Sequence, residues 1–176
     1  MNLILLGGNS PINKQWLHDL ATALKTHFPS PYIHHYRHWE TGEALIDLDY
    51  ELEVLTKNLP AEPYIILAKS AGVLLTLKGV AEKLLNPQKC IFLGTPILWA
   101  KDNHFVVESW LGNHSLPTLF IQQAHDPAMS FNDLKQYLEQ ENTKNYQLFE
   151  LSGDDHIYDN FDQLRDPIIT FINNGF

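Results

Sequence analysis

Two short runs, LILL at 3–6 and YIIL at 64–67, are apolar at every position. A strand with water on one face alternates polar and apolar side chains, so a run without alternation needs cover on both faces. Each run stops at small residues, Gly7-Gly8 in the first case and Ser70-Ala71-Gly72 in the second. Each is then followed by a longer stretch of helical period. Strands covered on both faces and separated by helices imply parallel pairing through right-handed crossovers.

The rest of the chain continues the alternation. Strands are expected at 2–6, 32–39, 64–68, 89–93, 117–122 and 146–151. Helices are expected at 11–28, 45–59, 71–85, 131–141 and 161–172. The helix over 45–59 carries Leu45, Leu48, Leu52, Leu55 and Leu59 at helical spacing. The expected fold class is therefore α/β, a three-layer sandwich with a mostly parallel sheet, in one domain over residues 1–176. A chain of 176 residues buries roughly 70% of its unfolded surface and needs no disulfide staples. The stretch 94–115 breaks the pattern. It carries Trp99, Phe105 and Trp110, which either wall a substrate pocket or pack as ordinary core aromatics.

Charge and composition narrow the function. There are 12 Lys and Arg against 21 Asp and Glu, a net charge of −9 with neutral histidines. Nucleic acids and anionic membranes both need a basic face, so neither is an expected partner. No segment approaches the roughly 20 apolar residues of a membrane span, and the N-terminus lacks the charged and apolar regions of a signal peptide. A cytoplasmic location is expected. The single cysteine, Cys90, lies in a strand-like run and reads as a buried, inert thiol. Three histidines in HHYRH, namely His34, His35 and His38, invite a metal site. No carboxylate or cysteine spacing supports one, so no metal and no cofactor is expected.

Three chemistries commonly use the C-terminal edge of such a sheet. The turn after the first strand, GGNSPINKQ, fits neither a dinucleotide fingerprint nor a phosphate-binding loop. The turn after YIIL reads Ala68-Lys69-Ser70-Ala71-Gly72, close to the G-x-S-x-G of a serine nucleophile elbow. On that pentapeptide alone, Ser70 is either a nucleophile or the N-cap of the following helix.

The partners favour the first reading. A nucleophilic serine needs a histidine base, and the base needs a carboxylate to orient it. Asp126 follows the strand at 117–122 and His156 follows the strand at 146–151. Ser70, Asp126 and His156 thus all fall after strand C-termini, in the chain order this elbow motif requires. Asp154 and Asp155 crowd His156 and are alternative acids, but a carboxylate from a neighbouring strand is better placed to brace the ring.

With LILLGGNS, LAKSAG, FIQQAHDP and GDDHIY in these positions, nearly the whole chain resembles the α/β-hydrolase superfamily, serine-hydrolase branch. Within it the chain is similar to very small, lidless serine hydrolases. The resemblance implies a six-stranded sheet in the order 2-1-3-4-5-6. It also implies an oxyanion hole formed by Ala71 and Asn9, with Gly8 as the lesser candidate. Two departures stand out: Ala68 replaces the first elbow glycine, and Gly7 replaces the histidine that often precedes Gly8. The activity implied is hydrolysis of a small acyl ester, thioester or amide through an acyl-enzyme. The alternative is a catalytically degenerate binding or scaffold protein on the same fold. The expected partner is a small-molecule acyl substrate, and the oligomeric state is left open.

Overall fold

The computed structural model of the protein describes residues 1–60, 63–112 and 114–174. Six parallel strands form one sheet: β1 (Asn2–Leu6), β2 (Tyr32–His34), β3 (Tyr64–Lys69), β4 (Lys89–Leu93), β5 (Thr118–Gln123) and β6 (Tyr146–Leu151). Their order is β2-β1-β3-β4-β5-β6, as predicted. The register aligns apolar residues across the middle of the sheet, Leu5 with Leu67, Leu67 with Ile91 and Ile91 with Leu119. Every residue of β3 and β5 is buried. Each buried Leu or Ile contributes about 1.5–3 kcal/mol from the water it sheds. The continuous apolar runs therefore specify the centre of the sheet. Cys90 belongs to that centre, and burial raises its thiol pKa far above the ordinary range.

Helices cover both faces. Helix α1 (Asn13–Ala23) packs with α8 (Phe161–Asn173), and the rings of Trp16 and Phe161 lie 6.1 Å apart. On the opposite face α3 (Leu48–Asn58) and α4 (Ala71–Ala81) pack together. Asp47 caps α3 by accepting from the Tyr50 N–H, which satisfies a donor of its first turn. Helix α7 (Phe131–Gln140) is capped in the same way by Ser130, which accepts from the Asp133 N–H.

Two expectations need correction. The second strand ends at His34 instead of running to Trp39. Beyond it the chain turns inward, Tyr36 donates its hydroxyl to the Gly7 carbonyl at 3.0 Å, and a short helix α2 (His38–Thr41) follows. Pairing to position 39 would have left these large side chains alternating across an edge; turned inward, Tyr36, His38 and Trp39 are buried. The irregular stretch 94–115 holds two short helices, α5 (Ile97–Asp102) and α6 (Val107–Leu111), with Asn113 outside the described residues. Among the described residues no helix is long and apolar enough to cross a membrane.

Candidate active site

Ser70 sits between β3 and α4 with φ 53° and ψ −115°, a conformation that a non-glycine residue holds only when its surroundings enforce it. The enforcement is visible on both sides. The Ser70 N–H donates to the Leu93 carbonyl at 3.0 Å, and the Gly72 N–H donates to the Gly7 carbonyl at 2.9 Å. A Cβ at Gly72 would lie 2.8 Å from the Leu6 carbonyl oxygen, so only glycine lets α4 pass this close to β1. Ala68 is wholly buried in β3 and paired in register with Leu6 and Phe92. The tight turn thus forms with a methyl at the position where the motif has glycine.

Ser70 occupies the N-cap position of α4, but its hydroxyl makes no capping bond. It instead lies 2.9 Å from His156 Nε2. Both oxygens of Asp126 face the other ring nitrogen, Nδ1, at 2.9 and 2.8 Å. Burial opposes ionisation of Asp126, yet hydrogen bonds from His156, from the Tyr158 hydroxyl and from the Ala128 N–H outweigh it and hold the carboxyl below its usual range. An ionised carboxylate only accepts, so Nδ1 carries the imidazole proton and Nε2 presents a lone pair to the Ser70 hydroxyl. The predicted residues Ser70, Asp126 and His156 therefore form one hydrogen-bonded line. Asp155 instead accepts from the Ile157 N–H and from Gln123, and Asp154 is exposed.

Three residues that the sequence reading missed hold this line in place. The Tyr158 hydroxyl donates to Asp126 Oδ2 at 2.6 Å and accepts from the Gln123 N–H at 2.9 Å. Gln123 Oε1 accepts from the Asp155 N–H at 3.0 Å, which ties down the loop carrying His156. That loop is itself strained, with φ 61° at both His156 and Tyr158. Gly94, at the end of β4, leaves room for the ring: a Cβ there would lie 2.9 Å from His156 Cε1 and 2.7 Å from Tyr158 Cε2.

One histidine of HHYRH, His38, serves the first-strand loop. His38 Nε2 lies 2.7 Å from the Asn9 carbonyl oxygen, which also accepts from Trp39 Nε1 at 3.0 Å. The Asn9 amide donates to the Ala44 carbonyl and accepts from the Ile46 N–H. The first two bonds hold the carbonyl of the Asn9–Ser10 peptide and the other two hold the Asn9 side chain. His34 is engaged separately, 2.8 Å from the buried carboxylate of Glu51. Among the described residues no cluster of His, Cys, Asp and Glu has the arrangement of a metal site.

A cleft of about 510 Å³ opens over Ser70 and His156, walled by α1, by the loop after β1 and by residues around Phe161. Gly8 and Asn9 line it; Ala71 lies behind Ser70 with no exposed surface. Its N–H, at the start of α4, has no acceptor among the described residues. Of the three predicted pocket aromatics, only Trp99 lines the cleft. Phe105 stacks on Trp99 from outside it, and Trp110 lies near Lys78. Trp16 and Phe161 supply the aromatic walls expected of that segment.

Solved structures of other proteins share this architecture. A YdeN-like hydrolase from Pectobacterium atrosepticum is 16% identical, with a TM-score of 0.68 over 96% of this chain and 87% of its own. N-formylmaleamic acid deformylase from Pseudomonas putida is 11% identical, with a TM-score of 0.69 over 97% and 91%. Carboxylesterase CesB from Bacillus subtilis is 11% identical, with a TM-score of 0.68 over 99% and 84%. The fold is that of the α/β hydrolases. No protein-family model matches the sequence, and neither does any curated protein. In α/β-hydrolase terms, Ser70 stands at the elbow between the third strand and the helix after it, and Asp126 and His156 stand after the fifth and sixth strands.

Proposed function

We propose that the protein is a serine hydrolase that cleaves a small acyl ester, thioester or amide through an acyl-enzyme on Ser70. The observation that carries this reading is the unbroken line from Ser70 Oγ through the His156 ring to Asp126. The fold neighbours support it, since a carboxylesterase and a deformylase are among them.

In this mechanism Ser70 Oγ attacks the acyl carbon as its proton passes to His156 Nε2. Asp126 holds the Nδ1 proton in place and stabilises the imidazolium. The tetrahedral oxygen develops its charge against the N–H groups of Asn9 and Ala71, each worth about 3 kcal/mol when aligned. His156 then returns its proton to the leaving group, the bond to it breaks, and the acyl-enzyme remains. Water enters, gives a proton to His156 and attacks the acyl carbon. Collapse frees the acid and returns the proton to Ser70.

A panel of 4-nitrophenyl esters of increasing acyl length tests the reading in wild type and in Ser70→Ala. Turnover of short acyl esters that is lost in Ser70→Ala is the expected result. A panel with no Ser70-dependent turnover contradicts it and leaves a non-catalytic role for the fold.

A further inference from the structure

Lys69 is the residue immediately before Ser70, and its side chain is only 5% exposed. It nevertheless forms part of the wall of the cleft over Ser70. Its ammonium donates one hydrogen bond, to Asn13 Oδ1 at 3.1 Å, and lies 5.3 Å from the centre of the Trp16 ring. The Asn13 amide is fixed in that orientation because its Nδ2 donates to the Ser10 carbonyl. Among the described residues no carboxylate lies within ion-pair distance of Lys69. A buried charge is costly unless it is paired, and here the partners are a neutral amide and an aromatic face.

The nearby acids do not fill the gap. Asp126 and Asp155 act on Lys69 only at longer range. The oxygens of Asp126 already accept from His156, Tyr158 and Ala128, and Asp155 accepts from Gln123 and Ile157. Burial depresses the Lys69 ammonium to about 8, so it is largely charged at neutral pH but poorly stabilised. The other carboxylates at the cleft, Asp19 and Asp159, are exposed at its rim, where water and salt screen them. A charge held away from water at the wall acts more strongly on whatever enters.

We propose that Lys69, with Asn13 and Trp16, forms an anion subsite of the cleft and selects acyl substrates that carry a second group bearing one negative charge, a carboxylate. A single ammonium flanked by an amide, inside an acidic rim, suits a monoanionic carboxylate better than a dianionic phosphate. The substrate class is then a half-ester or half-amide of a short dicarboxylic acid. The assignment rests on the serine-hydrolase reading for its chemistry but not for its binding.

Two esters of matched shape test it: the 4-nitrophenyl half-ester of glutaric acid and the same ester with its free carboxylate converted to a carboxamide. Wild type is expected to favour the carboxylate by about tenfold or more in kcat/KM, and that ratio is expected to fall toward one in Lys69→Met and Lys69→Gln. A ratio near one in wild type, or an unchanged ratio in both variants, overturns the subsite. A nuclear magnetic resonance titration with glutaramate and with neutral glutardiamide reads binding without chemistry. Glutaramate is expected to shift cleft resonances in wild type and not in Lys69→Met, while glutardiamide shifts neither. Such binding without any ester turnover would sink the hydrolase reading and keep the subsite. Glutaramate that shifts both proteins equally, or neither, would sink the subsite whatever the turnover.

Discussion

Two buried charges stand at the C-terminal edge of the same sheet, and the protein treats them in opposite ways. Asp126 after β5 accepts from a ring N–H, a hydroxyl and a backbone N–H, and its carboxyl is held ionised. Lys69 at the end of β3 has one neutral acceptor and an aromatic face, and its ammonium is depressed to about 8. The first charge is completed by the protein and brings rigidity to His156. The second is left incomplete beside an open cleft, which destabilises the free protein and suits a ligand.

Four substitutions probe how each charge is held. The largest effect is expected for Asp126→Asn, which keeps the shape but lets the ring take the wrong tautomer; kcat on any turned-over ester should fall about 10⁴-fold. Steady-state kinetics check this, and a loss under tenfold would mean that Asp126 does not orient the base.

Next comes Lys69→Met, expected to stabilise the fold by roughly 3 kcal/mol near neutral pH, because an amine with a folded pKa near 8 and an unfolded one near 10.5 is penalised while charged. The unfolded chain holds that proton up to higher pH than the folded one, so wild-type stability should rise as pH climbs from 8 to 10.5. The advantage of the variant should shrink over the same window. Urea unfolding at pH 7 and pH 10 reads both values; a gap that does not narrow would show that Lys69 is well paired after all.

Gly94→Ala should displace the His156 ring, since its new methyl would lie within 2.9 Å of Cε1. A shift of about 1 Å at the base costs on the order of 100-fold in kcat. The smallest effect is expected for Tyr158→Phe, which removes the hydrogen bond to Asp126 and the acceptor of the Gln123 N–H. About tenfold in kcat and about 1–2 kcal/mol in stability should be lost. A nuclear magnetic resonance titration of the Asp126 carboxyl separates this from simple unfolding. With the stabilising bond gone the carboxyl should titrate at higher pH, and an unmoved titration would assign Tyr158 to packing alone.

Much of this arrangement was legible in the sequence because it is written locally. The apolar runs at 3–6 and 64–67 placed β1 and β3, and Ser70, Asp126 and His156 each follow a strand end by a few residues. The unread parts depend on contacts between distant segments. Lys69 looked like a free position inside the elbow motif; only the approach of Asn13 and Trp16 from α1 makes it a buried, underpaired charge. Tyr158 and Gln123 act across 32 to 35 residues of chain and leave no spacing to detect. The stretch 94–115 offered three aromatics without a period, so nothing marked Trp99 as the one facing the cleft. In HHYRH the reading of a longer strand failed because Tyr36, His38 and Trp39 are drawn in to brace the loops at Gly7 and Asn9.

A fluorophosphonate probe reads whether Ser70 is the nucleophile. Wild type should gain one phosphonyl group, located on Ser70 by peptide mass spectrometry, and Ser70→Ala should gain none. An unlabelled wild type, or equal labelling of the two proteins, would contradict the account.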